Sequence, residues 1–325
     1  MKNNVLRILK SSREYISGEE ISKKFHMTRA AIWKHIKSLR EEGYNIESVP
    51  SKGYRLISSP DLLVQEEIEE HLSTNFIGRN IIHYDSIGST NKDAKEVAST
   101  SREGTVIIAE EQTEGRGRMG RAWASPKAKG IWMTIVLKPK IEPMKVARLT
   151  LLGAAAVFNA LGELNVKPQI KWPNDLLLDG KKICGILTEM GAELNMVDYV
   201  VMGIGVNVNF DEEDIPEEIK DRATSIKIYK SVEIDRKELT ANILNEFEKL
   251  YVKFCETGEM GDSIKICREN SIFLGEEVRI IRGDEVRLGK AVDIDENGQL
   301  VVEFSDNNIE SIYSGEVSLR GINPA

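Results

Sequence analysis

The chain has 325 residues, which is long for one hydrophobic core and favours two or three domains. Its composition, 41% hydrophobic and 30% charged, is that of an ordinary soluble protein. Residues 1–60 carry twelve Lys and Arg against six Asp and Glu, whereas the whole chain has a net charge of −8. A basic head on an acidic body is typical of a nucleic-acid-reading module joined to another domain.

The cysteine content and the distribution of apolar residues indicate in which cellular compartment the protein is located. Cys184, Cys255 and Cys267 are odd in number and far apart, which argues against a disulfide framework or a structural zinc site. The N-terminus has no apolar run long enough for a signal peptide. The longest weakly polar stretch, residues 149–161, is shorter than the roughly 20 residues that a membrane span needs, and it predicts a buried helix. We therefore expect a cytoplasmic protein with reduced thiols.

Residues 1–60 predict a winged helix-turn-helix, which is a DNA-binding layout. A short opening helix is followed by a second helix that ends near residue 25 and a third that Thr28 can cap. Ile32, Ile36 and Leu39 form one apolar stripe on the third helix at spacings i, i+4 and i+7. Two short strands about a turn then predict a β-hairpin, the wing.

Basic side chains lie on the two elements that contact DNA in a winged helix-turn-helix, the third helix and the wing. The helix-turn-helix begins at Gly18 and extends to Lys37, and the wing follows it. Trp33 lies beside both the apolar and the basic stripe, so core packing and DNA contact are both open. The alternative for the whole segment is a three-helix protein-interaction module. The candidate DNA contacts are Arg29, Lys34 and Lys37 on the third helix and Lys52 and Arg55 on the wing.

Residues 61–271 mix strands and helices without strict βαβ alternation, which predicts an α+β domain with a mostly antiparallel or mixed sheet. Residues 272–325 are rich in short strands and predict a small SH3-like barrel. The predicted helices span residues 61–71, 91–99, 146–164 and 236–255. The predicted strands span residues 106–109, 132–136, 169–172, 183–190 and 199–208, then 277–282, 286–295, 299–304, 309–314 and 317–320.

The segment from Gln112 to Trp123 is the most informative part of the chain. Its arginines, Arg116, Arg118 and Arg121, alternate with glycines, a composition that suits phosphate binding by guanidinium and backbone N–H groups. The segment also fits the G-x-G-x-x-G pattern of dinucleotide-binding folds. That pattern requires a helix inside the loop, and the proline and glycine in residues 122–130 exclude one.

Four further polar stretches are candidates for the same site. The cluster at residues 85–91 can bind a small polar group or can be an ordinary helix cap. In the stretch 171–175, Asn174 or Asp175 could support Mg²⁺ or a ribose; alternatively, this is a turn with Trp172 in the core. The other two stretches place two lysines, at 181 and 182, before a buried strand and an amide, at 207, after an apolar one.

The motifs of common catalytic classes are missing from the sequence. All four histidines precede the arginine-rich loop, and the sequence contains neither an H-E-x-x-H nor a Walker A motif. We therefore expect catalysis by positioned cations, as when a carboxylate attacks the α-phosphate of ATP. Arg118, Lys182 and Mg²⁺ would offset the repulsion between the two anions, and removal of one such cation should cost about 2.7–4 kcal/mol.

These motifs together resemble the bacterial biotin protein ligases, specifically the bifunctional class that is also the biotin operon repressor. The resemblance covers all three segments, 1–60, 61–271 and 272–325, and implies a class II synthetase-like central domain. It rests on the helix-turn-helix and on five stretches of the middle segment. These are Ser89–Asn91, Gln112 with the arginine-rich loop and Trp123, residues 171–175, Lys182 before Gly185, and residues 203–207.

The resemblance implies a role for each site residue. The protein would bind biotin as its substrate and ATP with Mg²⁺ as its cosubstrate, and it would need no prosthetic group. It would form biotinyl-5′-AMP and transfer biotin from it to a lysine of a biotin carboxyl carrier protein. The adenylate-bound form would dimerise on operator DNA and repress transcription. Mg²⁺ would lie near Asn174 and Asp175. The biotin-binding residues would be Ser89, Thr90, Asn91, Gln112, Arg116, Gly117, Arg118 and Lys182, the catalytic ones Arg118 and Lys182, and the nucleotide-binding ones Arg121, Trp123, Asn174 and Asn207.

Two positions depart from the family pattern. Met119 stands where some relatives carry a further arginine, which puts a loop contact to a partner in doubt. Trp33 stands where a small polar residue is expected, so the operator sequence is open. Two other functions remain alternatives: a biotin-sensing transcription factor without ligase activity and a lipoate-ligase-like adenylating enzyme. The intact pair of Arg118 and Lys182 disfavours the first, and the polar cluster of residues 89–91 with Gln112 disfavours the second.

Overall fold

The computed structural model describes residues 1–193, 196–282, 285–306, 308–313 and 316–319. The chain folds into two compact units, one comprising Met1–Leu62 and the other beginning at Leu63.

The N-terminal unit is the predicted winged helix-turn-helix. Its third helix begins where Thr28 Oγ1 accepts a hydrogen bond from the Ala31 N–H at 3.2 Å. Ile32, Ile36 and Leu39 are buried, as the spacing predicts, and form the core with the other two helices. The elements are α1 (Lys2–Lys10), α2 (Gly18–Phe25), α3 (Arg29–Glu41), β1 (Asn45–Val49) and β2 (Gly53–Ser58), with the two strands antiparallel.

The second unit is built on a seven-stranded mixed sheet. Its strands are β3 (Ile81–Tyr84), β4 (Val106–Ala109), β5 (Gly130–Leu137), β6 (Gln169–Lys171), β7 (Asp175–Leu178), β8 (Lys181–Glu193) and β9 (Met196–Asn207). Their order is β3-β4-β5-β9-β8-β7-β6, with β3 and β4 parallel and the other neighbours antiparallel. The mixed sheet predicted from the sequence is confirmed.

Six helices surround or flank this sheet in the described part of the chain. They are α4 (Gln65–Ile68), α5 (Thr90–Val97), α6 (Val146–Glu163), α7 (Ile226–Lys230), α8 (Arg236–Thr257) and α9 (Asp262–Glu269). The stretch Pro143–Glu163 is long and apolar enough to cross a membrane, but 67% of its most apolar window is buried inside the protein. It is the buried helix that the sequence predicts, packed against α8, α9 and β8.

The helix predicted for residues 61–71 is wrong over most of its length, because only Gln65–Ile68 is helical. Leu63 is fully buried, and its N–H donates to Glu110 Oε1 at 2.8 Å. This hydrogen bond to another segment anchors the chain just before the helix, so the helical turn starts later.

A second, five-stranded antiparallel sheet follows, as expected for the SH3-like domain. Its strands are β10 (Glu277–Arg282), β11 (Glu285–Ile294), β12 (Leu300–Phe304), β13 (Ile309–Ile312) and β14 (Glu316–Leu319), in the order β13-β12-β11-β10-β14. The predicted ends of the last two strands, at Ser314 and Arg320, lie outside the described residues. The inner face of this sheet belongs to the same hydrophobic core as α6 and the central sheet.

A buried ion pair joins α8 to the central sheet. Arg236 and Glu110, 0% and 1% exposed in their side chains, lie 2.9 Å apart between Nη2 and Oε2, and His83 Nε2 lies 3.2 Å from Glu110 Oε1. Burial favours the neutral form of Glu110, but the hydrogen bond with His83 and the charge of Arg236 outweigh it and lower the pKa of the carboxyl. Nothing in the local sequence pattern predicts this pair.

Candidate functional site

One cavity of about 810 Å³ opens in the second unit beside β5, β8 and β9. Its walls come from the N-terminus of α5, the arginine-rich loop, the turn between β6 and β7, and β14. Every site residue predicted in this unit lies on its wall. These are Ser89, Thr90, Asn91, Gln112, Arg116, Gly117, Arg118, Arg121, Trp123, Asn174, Asp175, Lys182 and Asn207.

One end of the cavity is polar and rigidly hydrogen-bonded. Gln112 Oε1 accepts from the Thr90 N–H at 2.9 Å and lies 3.0 Å from Thr90 Oγ1. Gln112 Nε2 donates to Ser125 Oγ at 2.9 Å. Thr134 Oγ1 lies 2.9 Å from Thr90 Oγ1 and 2.6 Å from Asn91 Oδ1. Thr90 and Gln112 line the cavity, so these contacts hold their hydroxyl and amide groups in fixed positions toward a small polar ligand.

Ser89 is the N-cap residue of α5, but it does not act as an ordinary helix cap. Within the described chain its hydroxyl makes no capping hydrogen bond, although the side chain is buried on the cavity wall. The first helical N–H, that of Thr90, is bonded by Gln112 instead. The helix therefore does not use the Ser89 hydroxyl as its cap, and ligand binding by this group stays a prediction.

The other end of the cavity carries two cations held by the turn between β6 and β7. Arg118 Nη1 donates to Asn174 Oδ1 at 2.9 Å. Lys182 Nζ lies 2.8 Å from Asp175 Oδ1. Asn174 is itself fixed, since its Nδ2 donates to Ile186 O at 3.2 Å. Of the two alternatives for the stretch 171–175, the turn with residue 172 in the core is confirmed. Asn174 and Asp175 line the cavity, and their support of Mg²⁺ or a ribose stays a prediction.

That buried residue, Trp172, connects the site to the C-terminal sheet. Trp172 is 3% exposed, and its Nε1–H donates to Gly298 O at 2.9 Å across to the turn between β11 and β12. Gly298 has a positive φ of 78°, a left-handed conformation that favours glycine, and a Cβ there would lie 2.6 Å from the Leu151 side chain of α6. The turn that carries Asn174 and Asp175 is therefore braced from behind by the C-terminal sheet.

The arginine-rich loop closes on itself through backbone hydrogen bonds. The Gly117 N–H donates to Arg121 O at 2.7 Å, and the Trp123 N–H donates to Gly115 O at 2.9 Å. Met119 takes a left-handed conformation with φ of 57° and is 79% exposed. Arg116 and Arg121 are exposed, whereas Arg118 is half-buried. The loop thus directs Arg118 inward to Asn174 and leaves its tip exposed.

Trp123 lies across two glycines of the sheet. A Cβ at Gly205 would lie 2.7 Å from Trp123 Nε1, and one at Gly185 would lie 3.0 Å from its ring. Lys182 Nζ is 4.9 Å from the Trp123 ring centroid, a cation–π contact. Among the described atoms, the buried Trp123 Nε1 has no hydrogen-bond partner. These glycines give a large planar group close access to the sheet.

The cavity continues into an apolar recess near the end of β9. Trp132 and Phe210 are buried there in edge-to-face contact, with ring centroids 6.0 Å apart. Asn207, 6% exposed, donates from Nδ2 to Thr224 O at 3.0 Å and so fixes the segment that covers the recess. This part of the wall suits a flat aromatic group beside polar amides.

The chemistry of the described residues favours electrostatic catalysis. Burial raises the pKa of the Cys184 thiol, next to the site on β8, so this group stays protonated and is a poor nucleophile. Among the described residues, no group of three or more His, Cys, Asp or Glu side chains could hold a metal ion. Two cations at one end and neutral donors at the other suit a ligand with an anionic and a polar end.

The sequence analysis missed three residues that support the polar end without lining the cavity: Thr134, Ser125 and Glu189. Thr134 is the one hydroxyl residue in the otherwise apolar strand β5, and it is fully buried. A lone polar side chain in a buried strand is a signal that could have identified it, because such a group requires a partner. Ser125 and Glu189 carry no comparable local signal.

In the N-terminal unit, the predicted DNA-contacting surface is exposed. Trp33 is 53% exposed, which excludes core packing, and Lys37 Nζ lies 5.8 Å from its ring centroid. Arg29 lies 2.7 Å from Glu19, and Lys34 is exposed. On the wing, Lys52 is exposed, and Arg55 is half-buried over the Tyr15 ring with its guanidinium 2.9 Å from Glu47.

Comparisons with known proteins agree with this architecture. The family model for the biotin/lipoate A/B protein ligase family matches residues 84–207, an HTH domain model matches residues 2–55, and the biotin protein ligase C terminal domain model matches residues 273–320. The bifunctional ligase/repressor BirA of Bacillus subtilis is 42% identical over 312 residues, 95% of each chain. BirA of Escherichia coli is 30% identical over 98% of this chain and 99% of that protein.

A solved structure is also similar to a large part of this chain. The biotin protein ligase from Aquifex aeolicus in complex with biotin and ATP matches with a TM-score of 0.65 and 33% sequence identity. The match covers 74% of this chain and 99% of that chain.

Proposed function

This chain belongs to the family of bifunctional biotin ligases and repressors, and we propose that Arg118 and Lys182 join biotin to ATP in its cavity. It is an ATP-dependent biotin–protein ligase that also represses transcription. The observation that carries the residue assignment is that Arg118 and Lys182 both line the cavity and contact adjacent residues, Asn174 and Asp175.

In the first half-reaction, an oxygen of the biotin carboxylate attacks the α-phosphorus of ATP, and pyrophosphate leaves. Both reactants are anions, so the barrier contains their repulsion and the extra charge of the five-coordinate phosphorus. Arg118 and Lys182 approach this charge from the loop and from β8. Each is held by a side chain of the turn between β6 and β7, so little reorganisation is needed in the transition state. Each cation contributes about 2.7–4 kcal/mol to the barrier reduction.

Biotin lies with its ureido ring at the polar end. Its carbonyl oxygen and N–H groups meet the hydroxyls of Ser89 and Thr90 and the amide of Gln112, and its carboxylate reaches Arg118 and Lys182. Arg116 and the Gly117 backbone close over it from the loop. Asn91 supports this end from behind rather than by direct contact, since its amide is bonded to Leu187, Glu189 and Thr134.

The nucleotide occupies the rest of the cavity. Trp123 and the apolar recess beside Asn207 receive the adenine, and Arg121 with Asn174 serves the phosphates. Mg²⁺ accompanies ATP: it is commonly bound by one or two carboxylates plus substrate phosphates, and Asp175 and the Asn174 carboxamide supply oxygen donors of that kind. The ion would offset phosphate charge.

In the second half-reaction, a lysine amine of a biotin carboxyl carrier protein attacks the acyl carbon, and AMP leaves. The mixed anhydride is already activated, so the protein mainly aligns the amine and excludes water. The loop that carries Arg118 is placed to cover the anhydride. We place the reaction in the cytoplasm, where ATP and operator DNA are both present.

The N-terminal unit supplies the repressor function. Arg29, Lys34 and Lys37 on α3 enter the major groove with Trp33, and the wing lysine Lys52 contacts the backbone. The adenylate-bound protein binds as a homodimer, since two half-sites are read by two copies of one helix. The adenylate favours the dimer because it binds that state more tightly.

Two assays test these assignments. Labelled biotin with ATP, Mg²⁺ and a carrier domain should give a labelled carrier lysine, and omission of ATP should abolish the label. An electrophoretic shift with operator DNA should strengthen when biotin and ATP are added together. If addition of biotinyl-5′-AMP left the electrophoretic shift of operator DNA unchanged, the coupling between the two functions would be refuted. An unlabelled carrier domain would refute the ligase assignment.

A further inference from the structure

The polar end of the cavity is held by a chain of hydrogen bonds that begins on β8. Asn91 Nδ2 donates to Leu187 O at 3.2 Å and to Glu189 Oε2 at 2.9 Å. Both partners are acceptors only, so the two N–H groups of this carboxamide are fixed toward β8. Asn91 Oδ1 is therefore fixed on the opposite side, where Thr134 Oγ1 lies 2.6 Å away.

The direction of the chain follows from the number of protons that each group carries. Asn91 Oδ1 accepts only, so the single hydroxyl proton of Thr134 is committed to it. In the 2.9 Å contact between Thr134 and Thr90, Thr134 is then the acceptor. The other neighbour of the Thr90 hydroxyl is Gln112 Oε1, which already accepts the Thr90 backbone N–H. Both neighbours of the Thr90 hydroxyl are thus acceptors, and its single proton points to one of them rather than into the cavity.

We infer that Thr134, oriented by Asn91 and Glu189, is a positioning residue that, together with Gln112 Oε1, makes Thr90 a hydrogen-bond acceptor toward the cavity. With its proton held by the protein, Thr90 Oγ1 has a lone pair for the ligand and selects a molecule that presents an N–H group there. A ureido N–H is such a donor, so the inference rests on the proposed binding of biotin. A ligand with a carbonyl oxygen or a thioether at this point would leave the polar group unsatisfied.

The packing around Asn91 is built for this orientation. A Cβ at Gly203 would lie 2.2 Å from Asn91 Oδ1, so the amide fits only because β9 has a glycine opposite it. Lys95 Nζ lies 2.5 Å from Glu189 Oε1 and anchors the carboxylate that receives the amide N–H. Thr134, Asn91 and Glu189 thus act through Thr90 on the ligand.

The test is a double-mutant cycle on the full-length protein, with biotin affinity measured by titration calorimetry. Thr134→Val keeps the shape of the side chain and removes the hydroxyl, so we expect biotin to bind about tenfold more weakly. Thr90→Val should weaken binding similarly. The double variant should bind no more weakly than Thr90→Val alone, because Thr134 acts through Thr90. The KM for ATP should stay unchanged in Thr134→Val.

Two further variants separate positioning from folding. Thr134→Ser keeps a hydroxyl and should restore wild-type affinity. Thr150→Val removes a similar hydroxyl contact, 2.9 Å to Thr188, from a residue that is not among those that line the described cavity, and it should leave biotin affinity unchanged. Additive losses in the double variant, an unchanged Thr134→Val or an equal loss in Thr150→Val would overturn the inference. Failure of the wild type to bind biotin would instead refute the proposed function.

Discussion

Gly203→Ala is expected to disturb the polar end of the cavity and the stability of the second unit together. The added Cβ would lie 2.2 Å from Asn91 Oδ1 and 2.9 Å from its Cγ, closer than real carbon contacts allow. Asn91 has to move, which strains its hydrogen bonds to Leu187, Glu189 and Thr134. Overpacking of this kind costs about 1–3 kcal/mol of the free energy of unfolding.

The assay combines urea unfolding, followed by tryptophan fluorescence, with biotin titration. Gly203→Ala should lower the free energy of unfolding by that amount and should weaken biotin binding. Gly162→Ala is the matched control, since its Cβ would meet no described atom within 4 Å and a helical alanine adds up to about 1 kcal/mol of stability. A Gly203→Ala protein with wild-type stability and wild-type biotin affinity would refute the packing described for Asn91.

Three other changes have defined outcomes. Arg236→Met leaves the Glu110 carboxylate buried without its cation and should destabilise the fold by about 3–5 kcal/mol in thermal unfolding; a much smaller loss would contradict the buried pair. Because the pKa of Glu110 is lowered in the fold, the carboxylate stabilises the protein above the ordinary pKa of a glutamate, and this contribution is lost as the pH falls through the lowered value. Glu110→Gln should therefore flatten the decline in stability on the acid side of the ordinary glutamate pKa. Trp33→Ala should weaken operator binding about tenfold, the order of one lost base contact, with biotinylation unchanged as the internal control.

The sequence predicted those elements whose pattern is local. The apolar stripe of Ile32, Ile36 and Leu39 fixes one face of α3, and the strands of the central sheet are recognisable from apolar runs between turn residues. The candidate site residues could be identified because the alternation of arginine and glycine at residues 115–121 is typical of anion binding and unusual elsewhere. Local pattern and chemical type were enough for these features.

The features that the sequence did not predict depend on contacts between segments that are far apart along the chain. The predicted helix at residues 61–71 is shortened because Leu63 bonds to Glu110, which is 47 residues further along the chain. Ser89 looks like a helix cap in sequence, but Gln112 takes the N–H of the first helical residue. The proposed role of Thr134 depends on its hydrogen bond to Asn91 and on Gly203, which lies opposite Asn91 and leaves room for its amide. A residue's neighbours along the chain carry no information on such partners.

Single-turnover formation of biotinyl-5′-AMP tests the central claim most directly, because it isolates the step that needs two cations. Arg118→Ala and Lys182→Ala should each slow this step by about 10²–10³-fold in the presence of saturating ATP and biotin. Lys181→Ala removes a neighbouring lysine that bonds to Lys220 O and is not among the residues that line the described cavity, so it should form adenylate at the wild-type rate. Equal rates in all four proteins would contradict the assignment of Arg118 and Lys182 as the groups that bring carboxylate and phosphate together.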